Sequence, residues 1–312
     1  NQNEMQGGQS VPNFDYAMAG GVRKTFRKAY FKALAQYFEV SHGMARTDAR
    51  ALANAVRENV AGKPALQNGD EHGAAVEEWL PRHHQENGFE PIPAGEARRA
   101  HEYAMRTAES DTDDATFQAM EALVHNLNTM NSRAGAQVPF SSINYGTDTS
   151  PEARMVIRNL LLATEDGLGD GETPIFPVQI FKIKEGVNFN PGDPNYDLFQ
   201  LAIRTSAKRL FPNFSFLDAP FNLQYYKPGD YDTEVAYMGC RTRVMGNVHD
   251  PDRQVTCGRG NLSFTSINLP RIAIEAKGDR KKFYKTLDDR MELVIRQLLH
   301  RFKIQCGKKV YN

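Results

Sequence analysis

The sequence predicts an α/β fold in which helices join strands that pair in parallel around a buried sheet. Three features carry that expectation. Short strand-like segments, at 138–144, 177–183 and 262–267, are separated by stretches whose apolar residues recur every three or four positions. At 312 residues with 40% hydrophobic content the chain can bury one large core, and one α/β domain is simpler than two modest ones. Strands separated by helices need crossover connections, which favour parallel pairing. Periodicity alone leaves a closed barrel and a doubly wound sheet both open.

In chain order, the first element is an amphipathic helix over about 14–39. Phe14, Met18, Val22, Phe26, Tyr30, Ala33 and Tyr37 form its apolar stripe, and Arg23, Lys24, Arg27, Lys28 and Lys32 form a basic row. A solvated helix face is one reading of that row. The preceding Gln6-Gly7-Gly8-Gln9-Ser10 could offer backbone N–H groups to an anion. From 41 to 114 the chain turns polar and reads as a partly helical surface insertion, with short helices near 47–59 and 97–109. His83 and His84 are adjacent, so on a helix they diverge by about 100°, and without ligand-spaced partners no metal is expected.

Beyond the insertion the signals sharpen. The segment 138–144 is strand-like. Ser150 is placed to cap a helix with Pro151 at its first position and Glu152 in its first turn, and Met155, Leu160, Leu161 and Leu162 are available to the core. Strand 177–183, helix 196–210 and strand 262–267 follow. Phe283, Leu287, Met291, Val294, Leu298 and Phe302 stripe one long helix, which reads as core packing.

The 38 basic and 38 acidic side chains cancel, which argues against broad electrostatic attachment to a nucleic acid polymer. No apolar run approaches a membrane span and no charged-then-apolar leader opens the chain, so a soluble, cytoplasmic protein is expected. The three cysteines are Cys240, Cys257 and Cys306, with neither a disulfide framework nor a zinc spacing. Cys257 and Cys306 read as small buried residues. Cys240 stands between Gly239 and Arg241 in a stretch that reads as an exposed loop tip, where a sulfur is presented rather than packed.

Two blocks give that cysteine a context. They are Tyr237-Met238-Gly239-Cys240-Arg241-Thr242 and Gly258-Arg259-Gly260-Asn261-Leu262-Ser263-Phe264, the latter followed by Asn268-Leu269-Pro270-Arg271-Ile272-Ala273. Together they resemble the thiyl-radical finger loop, and the strand after it, of the anaerobic (class III) ribonucleoside-triphosphate reductases, which are glycyl-radical enzymes. Glu121 to Met130, Val138 to Asp148, Gly192 to Asp197 and Glu275 to Asp279 extend the resemblance. It covers about 115–303 closely and 1–40 loosely, and leaves out 41–114.

The resemblance implies a ten-stranded α/β barrel with an interior finger loop around 236–243, incomplete at both ends. Residues 115–312 would be the catalytic barrel, 1–40 a helical segment serving the dimer surface and effector site, and 41–114 the insertion. Matched residue by residue, Cys240 is the hydrogen-abstracting thiyl, Asn261 a polar anchor in the active site, and Met238 the methionine of formate-using members. Taken alone, Asn261 is a turn former and Met238 a packed side chain. Ser141, Ser142 and Asn144 stand near the end of a strand where α/β folds place ligands, and could hold the nucleotide or simply cap a turn. Gln6, Lys24 and Lys28 are the candidates for the effector's phosphates.

The implied chemistry is reduction of ribonucleoside triphosphates to deoxyribonucleotides for DNA synthesis. It would use a glycyl radical on a segment outside this chain, formate as reductant, and zinc in a further C-terminal segment. The implied partners are dNTP or ATP effectors, a radical-SAM activating enzyme and a second copy of the chain. The rival readings are another glycyl-radical enzyme and a catalytically silent nucleotide-binding relative. Thr242 stands where the dehydratases of the glycyl-radical class usually carry a glutamate.

Overall fold

The computed structural model describes residues 9–67, 69–83, 92–131, 138–239, 242–247, 250–260 and 263–308. They divide into two units, 1–257 and 258–312. In the first, β1 (Gln9–Val11), β2 (Ser141–Tyr145), β3 (Val178–Ile183) and β4 (Asn213–Phe216) form one parallel sheet in the order β1-β2-β3-β4. The order runs without reversal. Ser10 pairs with Ser142, Ser142 with Val178, and Lys182 with Ser215.

Because successive strand side chains point to opposite faces, this register sorts the sheet into two surfaces. Val11, Ile143, Tyr145, Phe181, Ile183 and Phe214 share one, where they form a core with α1 (Phe14–Ser41), α4 (Ala94–Thr129), α5 (Pro151–Asp166) and α6 (Tyr196–Arg209). The crossover helices α5 and α6 therefore lie on one face, a singly wound arrangement. The opposite face carries Ser10, Ser142, Asn144, Lys182 and Ser215, with a small apolar group around Val178 and Ile180. Ser150 caps α5 as its sequence predicts, its hydroxyl accepting from the Ala153 N–H at 3.3 Å.

A second core lies farther along α1. Phe26, Tyr30, Leu34 and Phe38 are fully buried against α2 (Arg46–Asn59), α3 (Gly69–His83) and the first half of α4. The segment 41–114 is thus not confined to the surface. It contributes Leu52, Val56, Val76, Leu80 and the small row Ala97, Ala100, Ala104 and Ala108. The helix expected at 97–109 continues to Thr129 because Thr112, Thr116, Met120 and Val124 keep one buried line along it.

The second unit holds α7 (Leu269–Ala276), capped by the Asn268 side chain, and α8 (Arg280–Cys306), capped by Asp279. Two expectations fail here. Residues 263–267 are irregular rather than a strand: the Arg301 guanidinium donates to the Ser263 hydroxyl and the Phe264 carbonyl, so side-chain bonds replace a ladder. The long helix buries none of its residues, and Met291 and Phe302 are about half exposed, at 47% and 50%. Among the described residues no helix is long and apolar enough to cross a membrane.

Within the α1–α3–α4 core, Tyr30, His72 and His101 form a buried ring cluster, with Tyr30 Oη 2.8 Å from His101 Nδ1. Burial, and secondarily the neighbouring His101, push the His72 imidazole down to about 4. Neutral His72 therefore contributes stability in full above its ordinary pKa of 6.5, and that contribution is lost as pH falls from 6.5 towards 4. Denaturant titrations should show a loss of roughly 3 kcal/mol across that window that His72→Leu abolishes. A variant with the same acid sensitivity as the native protein would contradict this assignment.

Candidate active site

A two-stranded antiparallel hairpin covers the polar face of the sheet. Its strands, β5 (Ala236–Met238) and β6 (Thr242–Val244), pair Met238 with Thr242 and flank the chain through Cys240. Gly239 holds φ +62°, and a β-carbon there would stand 3.3 Å from the Phe140 ring, so a side chain would strain both backbone and contact.

Three sheet residues fix this hairpin through its backbone. The Asn144 amide meets both peptide groups of Tyr237, accepting its N–H at 2.8 Å and donating to its carbonyl at 2.9 Å. The Ser10 hydroxyl donates to the same carbonyl at 2.8 Å, and the Ser142 hydroxyl accepts the Gly239 N–H at 2.9 Å. Asn144 and Ser142 are essentially fully buried. Their polarity, unexpected in a covered parallel strand, is used up by the hairpin.

Charged side chains hold the hairpin's root, just before β5. Lys182, buried at 1% exposure, donates to Asn13 Oδ1 at 2.7 Å and stands 3.3 Å from Glu234 Oε2. The same Glu234 oxygen accepts the Thr147 hydroxyl at 2.9 Å, and Oε1 lies 3.2 Å from Lys184. Burial pulls the Lys184 ammonium down, but its bond to the Tyr226 hydroxyl and the Glu234 carboxylate outweigh that, and its pKa is raised. Asp15, at the start of α1, accepts the N–H groups of Gly146, Thr147 and Asp148 at 2.8–3.1 Å. Burial raises its carboxyl against the opposing pull of Lys182 and those donors.

The residues singled out from sequence separate accordingly. Met238, Ser142 and Asn144 come together at the hairpin. Ser141 points to the helix side of the sheet, its hydroxyl 3.5 Å from the Pro139 carbonyl. Lys24 and Lys28 lie on the exposed side of α1, where Arg23 pairs with Glu152 and Lys32 with Asp111. Gln6, Cys240 and Asn261 lie outside the described residues. Cys257 and Cys306 are exposed, not buried as expected, because the polar turns and helix end that carry them pack nothing against the thiols. Among the described residues no three His, Cys, Asp or Glu side chains gather as a metal site.

A family model described as anaerobic ribonucleoside-triphosphate reductase matches residues 1–312. The chain belongs to the anaerobic ribonucleoside-triphosphate reductase family. Curated relatives agree. The anaerobic ribonucleoside-triphosphate reductase of Salmonella typhimurium is 36% identical over 195 residues, which is 62% of this chain and 26% of that protein. That of Haemophilus influenzae is 37% identical over 200 residues (64% and 26%), and that of Enterobacteria phage T4 is 34% identical over 211 (66% and 34%). The chain thus spans about a quarter to a third of the length of these reductases.

Sequence reasoning missed Lys182, Glu234 and Asp15 at this candidate site. Lys182 left a trace: it is the one cation in the otherwise apolar or amide strand Val178–Ile183. Glu234 and Asp15 left none, since each binds partners distant in the chain. The hairpin's dependence on Asn144 can be measured. Asn144→Leu strips the Tyr237 N–H of its partner and leaves the Tyr237 carbonyl to the Ser10 hydroxyl alone, which should cost about 2 kcal/mol in denaturant unfolding, with faster amide exchange at 236–238. Unchanged exchange there would show that the clamp does not hold the hairpin.

Proposed function

We propose that this chain is the finger-loop-bearing part of the catalytic domain of an enzyme that reduces ribonucleoside triphosphates to deoxyribonucleoside triphosphates under anaerobic conditions. The observation that carries the reading is the hairpin itself: a short strand pair flanking Cys240, tied by its backbone to the polar face of a parallel sheet. The unreversed strand order and the one-sided helices support reading the four strands as an arc of a ten-stranded barrel. Its interior would be the polar face.

In this reading Cys240 is the hydrogen abstractor. A glycyl radical, where the complete enzyme carries one, would supply the oxidising equivalent that makes the Cys240 thiol a thiyl. Cys240 takes the ribose 3′ hydrogen, the 2′-hydroxyl leaves as water with a proton drawn from solvent, and formate would supply the two electrons and the second proton as it becomes carbon dioxide. Cys240 then returns its hydrogen to C3′. Asn261, which can donate and accept at once, is the anchor for a ribose hydroxyl and formate. Met238 lines the reductant's side.

Ser142 and Asn144 act here by positioning the loop, whereas Ser141, at the start of β2 and on the helix side of the sheet, lies off the proposed interior and is not assigned to the nucleotide. Lys24, Lys28 and Gln6 are assigned to effector phosphates, with the exposed basic side of α1 as the dimer and effector surface. Zinc, the radical-SAM activating enzyme and a cytoplasmic setting complete the proposal.

The test uses the full-length protein, activated anaerobically and supplied with CTP and labelled formate. Native protein should release labelled carbon dioxide and dCTP in step, and Cys240→Ala should form neither above the uncatalysed level. Asn261→Ala should lower kcat/KM by about tenfold or more. Formation of dCTP by the cysteine variant would remove the assigned abstractor.

A further inference from the structure

We infer that Glu234 is a positioning residue, whose carboxylate, shared by Lys182, Lys184 and Thr147, fixes the root of the β5–β6 hairpin and with it the point from which the chain presents Cys240. The inference rests on the reductase reading above. It adds a buried charge cluster to the residues that reading uses.

The geometry leaves the carboxylate little freedom. Oε2 is held by Thr147 at 2.9 Å and Lys182 at 3.3 Å, and Oε1 by Lys184 at 3.2 Å. These partners lie just beyond β2, within β3 and just beyond β3, so one side chain registers the root against two neighbouring strands. The cluster extends to the turn before it. Asn13 accepts from Lys182 and donates to Asp232 Oδ1 at 3.2 Å.

Stability alone is a poor explanation for this arrangement. The Lys182 and Glu234 side chains are 1% and 3% exposed. Removing two charges from water costs several kcal/mol per ion, and well-packed apolar pairs of similar volume are commonly as stable or more so. What an ion cluster supplies and an apolar pair does not is a position fixed by direction and charge. Hydrogen transfer needs that, because a misplacement of about 1 Å can cost around 100-fold in rate.

The experiment separates positioning from folding in the full-length, anaerobically activated protein. The variants are Glu234→Gln, which keeps shape and removes charge, and the apolar pair Lys182→Met/Glu234→Leu. We expect both to fold and to form glycyl radical at native yield by EPR, with KM for CTP within about twofold, kcat lower by about 100-fold, and faster amide exchange at 236–238. A merely structural pair would shift the melting temperature and leave kcat and exchange alone. If the apolar pair does not fold, Glu234→Gln decides.

A kcat within about threefold of native in whichever variant decides, while native protein turns over and Cys240→Ala does not, overturns this inference alone. Turnover by Cys240→Ala, or a native protein that forms radical yet reduces no CTP, overturns the functional reading and this inference with it.

Discussion

The Asn144 amide, matched donor to acceptor and acceptor to donor with the Tyr237 backbone, is the contact on which the site depends. A hairpin with three residues in each strand has too few ladder bonds to stand alone in water. It persists here because a buried side chain imitates the edge of a neighbouring strand. Each such bond adds only about 1 kcal/mol net, yet losing it would leave a buried peptide group unpaired at a cost of about 1–3 kcal/mol. The clamp is therefore modest in energy and strict in geometry.

That constraint explains why the sheet is polar where parallel sheets are usually oily. Strands covered on both faces normally read as continuous apolar runs. Here β2 alternates Ser142 and Asn144 with Ile143 and Tyr145, and β3 places Lys182 between Phe181 and Ile183. The helix side carries the hydrophobic stabilisation, with Tyr145, Phe181, Leu160 and Leu161 fully buried. The hairpin side is left free for groups that bind backbone and charge. Asp15 joins the two by tying the end of β2 to the start of α1.

Local signals were legible wherever they were self-contained. Ser150-Pro151 announced α5, the strand-like runs at 138–144 and 177–183 announced β2 and β3, and the fourfold spacing of Val22, Phe26 and Tyr30 announced α1. The segment 41–114 misled because its buried residues include many alanines, whose weak contrast with the polar face hides a helix that is nonetheless packed. At 263–267 local strand propensity yielded to hydrogen bonds from Arg301. The same distance problem governed the site. Asn144 was visible as a polar residue in a strand, but its partner lies 93 positions away, and Glu234 meets Lys182 across 52. No local pattern encodes either meeting. The chemistry proposed for Cys240 rests on a resemblance to a family, and the match to the reductase family model supports the membership.

The two anchors also differ in kind. Amide hydrogen bonds weaken steeply with angle, so Asn144, Ser142 and Ser10 set the register and tilt of the strands they touch. Charge attraction falls off slowly and strengthens away from water, so the Lys182–Glu234–Lys184 cluster resists displacement of the root as a whole. Either alone leaves one motion soft: a root pinned by charge could still twist, and a strand held by amides could still lift with its turn. Together they restrain both. Neither requires the hairpin to have an apolar core of its own.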